Sequence, residues 1–255
     1  MNEDRLVQLV RLANRLGDPA LDYAILGEGN VSARVDERTF LVTVSGAELR
    51  SATERSFVEV AFDHVLSLLS EGPMDDESIR RRLAKAKVDG GPEPRPSVET
   101  LMHAVLLSMP GVNFVGHTHP TAINAIICSH GFEQALAGRL FPDEIVLCGP
   151  RPLLVPYVDP GVPLAREIHT RLREFIRSHG EPPKSVYLQN HGFIALGGTE
   201  TQVAQTTAMA VKAARILAGT HVLGGPRFLS DKAVARIHTR PDEHYRQQVL
   251  DAMGG

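Results

Sequence analysis

Two imidazoles stand two residues apart in Phe114-Val-Gly-His-Thr-His-Pro-Thr121, directly behind a short apolar run. In an extended backbone the side chains of residues i and i+2 leave the same face, so His117 and His119 can reach one point in space. That point can hold a divalent ion, although two solvated loop histidines would give the same spacing. A third imidazole, His191, interrupts an apolar β run as Asn190-His191-Gly192, between strands predicted over 184–189 and 193–197. A polar tripeptide is locally unfavourable there, and a metal-binding imidazole at a kinked strand pair supplies a reason for it. Glu99 falls in the first turn of a helix predicted over 98–108 and capped by Ser97, where the positive helix end favours a carboxylate. The acid stands two residues past the cap rather than three, so Glu99 is not explained as a capping-box partner. Glu99 and His103 are four apart and share a helix face, a spacing that suits a surface pair as well as a site. Two small polar corners, Gly29-Asn30 and Ser45-Gly46, expose backbone N–H groups that can cradle an anion or simply turn the chain.

These residues need a scaffold, and the pattern around them alternates helices with strands. Leu6, Leu9, Val10, Ala13 and Leu16 recur at helical spacing over 3–16, and Gly17-Asp18-Pro19 ends the helix. Residues 27–35 and 39–44 predict a hairpin entered through a glycine corner; 57–62 alternates as a strand, and Asp63 is the expected N-cap of a helix over 64–70. Asp75-Asp-Glu77 precedes Arg80, Arg81, Arg82, Lys85 and Lys87, the order expected of one exposed helix with a solvated basic face, and 90–96 forms a stiff linker. Pro120 opens a helix over 120–129, and 132–140 reads as helical. Strands are expected over 145–148 and 153–155, followed by an amphipathic helix over 162–178 that His179-Gly180 stops. Thr199 caps an alanine-rich helix over 200–219. The tail, 220–255, holds His221, His238, His244 and Tyr245 with weak periodicity, expected to pack on a neighbour or fray. No repeat or boundary divides the chain, so it reads as a single domain over 1–255.

Composition excludes several functional classes. Lys and Arg total 27 against 30 acidic residues, leaving no field to hold nucleic acid or an anionic membrane. The charged start, residues 1–6, carries no signal-peptide pattern, and no apolar run approaches the roughly 20 residues of a membrane span. Cys128 and Cys148 are expected as two small core residues rather than a disulfide, which fits a reduced, cytoplasmic setting.

Read together, Gly27-Glu-Gly-Asn-Val-Ser32, Val44-Ser-Gly46, Pro96-Ser-Val-Glu99, Gly116-His-Thr-His-Pro120 and Leu188-Gln-Asn-His-Gly192 resemble, in order, the blocks of the class II aldolase/adducin family across residues 5–219. The resemblance implies an α/β fold, a three-layer α/β/α sandwich around a mostly antiparallel central sheet. It also implies a homo-oligomer, with a tetramer favoured and sites between subunits. His117, His119 and His191 match the family's ligands for a catalytic divalent metal, most often Zn2+, with Mn2+ or Co2+ as other occupants. Glu99 matches the acid/base carboxylate, and Gly29, Asn30, Ser45, Gly46 and Ser97 match positions around a substrate phosphate. The implied function is a metal-dependent lyase, performing aldol cleavage or condensation of a short sugar or sugar phosphate through a metal-stabilised enediolate. Dehydration, decarboxylation and epimerisation on the same metal site are the alternatives within the family. A non-catalytic adducin-like interaction domain is a further one, although such domains lack the histidine ligands. The chain also departs from the pattern. Val98 stands where aldolases and epimerases often carry a second serine, which leaves open a non-phosphorylated substrate, and dehydratases tolerate a small apolar residue there. The aldolases' tyrosine before the Gly-Pro turn is missing, so Tyr157, Glu144 and Tyr245 are the candidates to protonate a leaving aldehyde oxygen. His103 reads as a packed or supporting histidine.

Overall fold

Strands buried at successive positions must be covered on both faces, because neighbouring side chains point to opposite sides. The computed structural model, which describes residues 2–72, 74–91, 93–242 and 249, meets that requirement with helical layers above and below one sheet. Helix α1 (Asn2–Leu16) leads to β1 (Asn30–Arg34), β2 (Thr39–Thr43), β3 (Phe57–Ala61), α2 (Phe62–Leu66) and α3 (Asp76–Lys85). The middle of the chain forms α4 (Thr100–Leu107), β4 (Phe114–Thr118), α5 (Thr121–Ile127), α6 (Phe132–Ala135), α7 (Pro142–Cys148) and β5 (Leu153–Val155). It closes with α8 (Val162–His179), β6 (Ser185–Leu188), β7 (Gly192–Gly197), α9 (Glu200–Thr220) and α10 (Asp231–His238).

Among the described residues the sheet runs β3-β2-β1-β4-β7-β6-β5, antiparallel throughout except for the parallel β5–β6 pair. One face of the sheet, with Val31, Ala33, Phe114, Phe193 and Ala195, packs against Leu9 and Leu12 of α1, Ile123 of α5 and Val203 of α9. The opposite face, with Phe40, Val42, Val115, Ile194 and Leu196, packs against Val65 of α2, Leu101 and Val105 of α4 and Ile168 of α8. Two separate apolar cores on the two sides make the expected α/β/α sandwich, each large buried side chain contributing roughly 1.5–3 kcal/mol. β4 lies near the middle of this sheet, and its side chains are buried at every position.

Several local expectations are corrected. Residues 145–148 are not a strand but the end of α7. Their apolar run suits either state, and the helix is decided by Pro142 at its first position and Asp143 and Glu144 in its first turn. Asp63 does not cap a helix, since α2 begins at Phe62, and a 3-10 turn at Ser67–Leu69 completes the shorter segment. Helix α4 starts at Thr100, with Glu99 rather than Ser97 in the capping position. The 132–140 helix shrinks to α6. Lys87 is buried rather than solvated, its Nζ donating to Gly91 O at 2.9 Å and Glu93 O at 3.1 Å and so tying down the linker that follows. Cys148 is buried as expected, but Cys128, just past α5, is exposed. Part of the tail packs on the chain itself: Leu229 N donates to Arg139 O, and the Phe228 ring lies so close to Gly138 that a Cβ there would meet it at 2.6 Å. His244 and Tyr245 lie outside the described residues. No helix among the described residues is long and apolar enough to cross a membrane.

A buried ion pair anchors α7. Arg139 donates from Nη1 to Glu144 Oε1 at 3.1 Å, from Nε to Gly149 O and from Nη2 to Cys148 O, and Glu144 Oε2 accepts from Leu140 N at 2.7 Å. Removing the carboxylate would strand a buried guanidinium. Glu144→Ala is therefore expected to lower the unfolding free energy by about 3–5 kcal/mol in urea denaturation. A loss below about 1 kcal/mol, the range of exposed pairs, would contradict it.

Candidate metal centre

The end of β4 is the floor of the site. His117 sits there opposite Asn30 of β1 on one side and Ile194 of β7 on the other. The chain leaves the strand at His119, whose backbone N–H is held by Tyr23 O at 2.8 Å. His191 arrives from the tight connection between β6 and β7, where Asn190 adopts a left-handed φ of 54° and His191 N bonds back to Leu188 O at 3.1 Å. Asn tolerates that backbone conformation better than most residues. Two glycines make room. A Cβ on Gly192 would fall 2.6 Å from His119 Cδ2, 2.8 Å from Thr118 O and 2.9 Å from His117 Cε1, so the first residue of β7 must be bare beneath the rings. Gly29 has φ of 71°, and a Cβ on it would meet His117 O at 2.5 Å.

The three imidazoles converge as a compact group. Their candidate ligand nitrogens all lie within 4.8 Å of one another, and Nε2 of His117 and Nε2 of His119 are 3.0 Å apart. A tetrahedral zinc with about 2.0–2.1 Å Zn–N bonds requires nitrogens roughly 3.3 Å apart, so the His117–His119 pair is already close to that spacing and the more distant nitrogens would draw in on binding. His117 Nδ1 lies 3.0 Å from Phe193 O, and because a carbonyl can only accept, Nδ1 carries the proton and Nε2 is left with its lone pair. Burial lowers the pKa of His117 to about 4 despite the opposing pull of Glu99, and lowers that of His119 to about 4 with help from the neighbouring imidazoles. Both rings are therefore neutral near pH 7, the form that binds metals. Two buried polar atoms of the group, His191 Nδ1 and Glu99 Oε1, make no hydrogen bond. Unpaired buried polar atoms are costly, and their presence beside three converging imidazoles fits a centre completed by an added group.

Glu99 faces this group from the start of α4. Its Oε2 accepts from Asn30 Nδ2 at 2.6 Å and lies 3.5 Å from His117 Nε2; its Oε1 lies 3.3 Å from His191 Nε2. Burial works to raise its pKa, but His117, His191 and the Asn30 amide outweigh that and hold the carboxyl well below the usual range. The pair formed with His103 is not a surface pair: both residues are buried, and His103 Nε2 bonds to Asn30 Oδ1 while its Nδ1 bonds to Ser32 Oγ.

The two polar corners come together beside Glu99. Val44 bridges Pro96, Ser45 N donates to Arg95 O at 2.9 Å and Ser97 N donates to Thr43 O at 3.1 Å, so Ser45, Gly46 and Ser97 occupy adjoining turns. Gly46 O lies 4.0 Å from the position of a Cβ on Gly27, which brings the Gly29-Asn30 corner alongside. The Asn30 amide itself is spent on Glu99 and His103. Val98 points out and is 47% exposed. Of the candidate proton donors, Glu144 has both oxygens engaged in the α7 anchor, and Tyr157 is exposed with its hydroxyl donating to Asp159 at 3.2 Å. Tyr245 lies outside the described residues.

Three residues at the site carried little sequence signal. Asn124 of α5 donates to His191 O at 3.4 Å, and Glu28 Oε1 stands 3.9 Å from His119 Nδ1. Asn124, Glu28, Asp22 and His119 line a cavity of about 330 Å³ at the edge of the triad. Ser32 completes the set, and the face it shares with Asn30, two apart on β1, was the available clue; His103 is the packed, supporting histidine expected.

Comparison with known proteins places this geometry. A sequence profile described as "Class II Aldolase and Adducin N-terminal domain" matches residues 7–218. An "Uncharacterized oxidoreductase YuxG" of Bacillus subtilis is 29% identical over 215 residues, which is 79% of this chain; the chain spans only 29% of that protein's length. A "3-oxo-tetronate 4-phosphate decarboxylase" of Haemophilus influenzae is 25% identical over 223 residues, covering 86% of this chain and 89% of that protein. Among solved structures, the N-terminal class II aldolase domain of a conserved Thermoplasma acidophilum protein superposes with a TM-score of 0.65 at 27% identity, covering 82% of this chain and 91% of that one. With the profile spanning most of its length and the sandwich matching, the chain belongs to the class II aldolase and adducin N-terminal domain family.

Proposed function

We propose that this chain is a divalent-metal-dependent lyase that cleaves or forms a carbon–carbon bond in a short sugar or sugar phosphate by aldol chemistry. The observation that carries the reading is the convergence of three imidazoles beside one buried carboxylate. His117, His119 and His191 would hold the ion, and an all-imidazole set suits Zn2+, with Mn2+ or Co2+ as other occupants. When bound, such an ion acts as a Lewis acid that polarises a substrate carbonyl.

The chain's own residues supply the remaining chemistry. Glu99 enters the reaction ionised, so it acts first as a base, taking a proton at the carbon beside the carbonyl or returning one there. Asn30 occupies Oε2, which leaves Oε1 to make that transfer. Gly29 and Gly46 would offer backbone N–H groups and Ser45 and Ser97 hydroxyls to a phosphate, with Asn30 adjoining them at the corner, its own amide engaged by Glu99 and His103. The reading extends to a cytoplasmic homotetramer. Ile25 and Leu26, 58% and 77% exposed just before Glu28, give it apolar surface for a second copy. A non-catalytic interaction domain would have no use for three converging imidazoles. Decarboxylation is the second reading, favoured by the decarboxylase relative that this chain covers almost end to end.

Metal analysis of purified protein is expected to find close to one divalent ion per chain, lost in His117→Ala and His191→Ala; a metal-free, chelator-indifferent protein would end the lyase reading. Gly192→Ala, which forces a methyl against two of the rings, should weaken metal binding about 10–100-fold while circular dichroism shows the fold intact. Glu99→Gln should keep its metal and lose about 10²–10⁴-fold in turnover. Near wild-type rates would remove Glu99 from the chemistry. Product analysis separates the reactions: an aldehyde released together with a ketone fragment and no carbon dioxide supports aldol cleavage, and carbon dioxide released with no aldehyde supports decarboxylation.

A further inference from the structure

Behind Glu99, away from the imidazole triad, runs a line of buried side chains in which every hydrogen bond has only one possible direction. Asn30 and Ser32 are two apart on β1 and face α4; Glu99 and His103 are four apart at the start of α4 and face β1. The carboxylate of Glu99 can only accept, so Asn30 must present its Nδ2 to Oε2, 2.6 Å away. Its Oδ1 then faces His103 Nε2, and since that oxygen can only accept, the ring proton must lie on Nε2. Nδ1 of His103 is left bare and must accept from the Ser32 hydroxyl at 2.6 Å. Turning the amide over would set Oδ1 against the carboxylate. Ser32 and His103 are completely buried, and Asn30 and Glu99 nearly so, so no solvent competes for these bonds. Burial also lowers the pKa of His103 to about 4, against the pull of Glu99, which keeps its ring neutral with a single proton to place.

We propose that His103 and Ser32 are positioning residues: they lock the Asn30 amide with its donor toward Glu99, so that Oε2 is pinned and Oε1 alone is presented for proton transfer. The two oxygens of one carboxylate thereby take different jobs, one structural and one reactive. The relay itself is a property of the fold. Its effect on turnover rests on the lyase reading above.

The test has two arms on the full-length, metal-loaded protein. In histidine-labelled protein, 15N NMR is expected to show His103 as the Nε2–H tautomer with a hydrogen-bonded Nδ1, and Ser32→Ala should move the Nδ1 shift. An Nδ1–H tautomer, or an unmoved shift, overturns the relay whether or not the chain proves to be a lyase. In the second arm, His103→Phe, which keeps a ring but no polar atom, should lower kcat about 10–100-fold with KM within about twofold and metal content unchanged. His103→Gln, able to donate to Asn30, should recover part of the loss. Wild-type kcat in His103→Phe overturns the positioning role. If that variant fails to fold, Ser32→Ala is read in its place, with a smaller fall in kcat expected and an unchanged kcat counting against the proposal. Absence of any lyase activity in the wild type, with the NMR pattern intact, would sink the functional reading and leave the relay standing.

Discussion

The bond from His117 Nδ1 to Phe193 O is where the arrangement begins. It ties a side chain of one strand to the backbone of the next, and β4 and β7 are already locked in register, His117 opposite Ile194. Ladder geometry therefore settles which nitrogen of the ring is protonated and which way the other one faces. His119, two residues on, inherits the same side of the strand, and His191 is swung toward it by a turn whose own backbone bonds run to Leu188 and Ile127. The imidazoles are aimed by main-chain hydrogen bonds rather than by one another, and backbone ladders are among the most rigid positioning devices a fold has.

Burial sets the electrostatics of the same region. Taking three imidazoles and a carboxylate out of water penalises every charged form, yet the outcome differs between the two residue types. His117 and His119 lose their charge, because no carboxylate in contact is strong enough to offset desolvation. Glu99 is held in its charged form against burial, with the Asn30 amide donating to it. Neutral His117 and His119 beside a carboxylate held ionised is the combination that the proposed Lewis-acid-assisted proton abstraction would need.

Much of this was legible in the chain. Period-two spacing exposed His117 and His119, a polar break in an apolar run exposed His191, and a carboxylate left over from capping exposed Glu99. The layered fold followed from the order of the family's blocks. What could not be read were features decided by partners distant in sequence. Residues 145–148 carry a strand-like apolar run, but Pro142 and an acidic first turn, locked by Arg139, made them helix. Lys87 belongs by composition to a basic surface, and only the folded linker supplies the carbonyls that draw it inward. His103 reads as a packed, supporting histidine, as it is, but its partners Asn30 and Ser32 could not be named because they come from a strand about seventy residues earlier. Cys128 reads as core from its apolar neighbours, yet the helix ends just before it and turns it outward.

The histidines come from two places that the chain joins only through most of the intervening domain, since His117 and His119 leave β4 while His191 rides the β6–β7 turn. A cation gripped by all three would act as a staple between those segments, favouring the folded chain over the unfolded one in proportion to how tightly it is held. Scarcity of the ion would then be felt twice, first as idle enzyme and then as chains that open more often and are cleared by proteases. The amount of protein in a starved cell would follow the supply of metal.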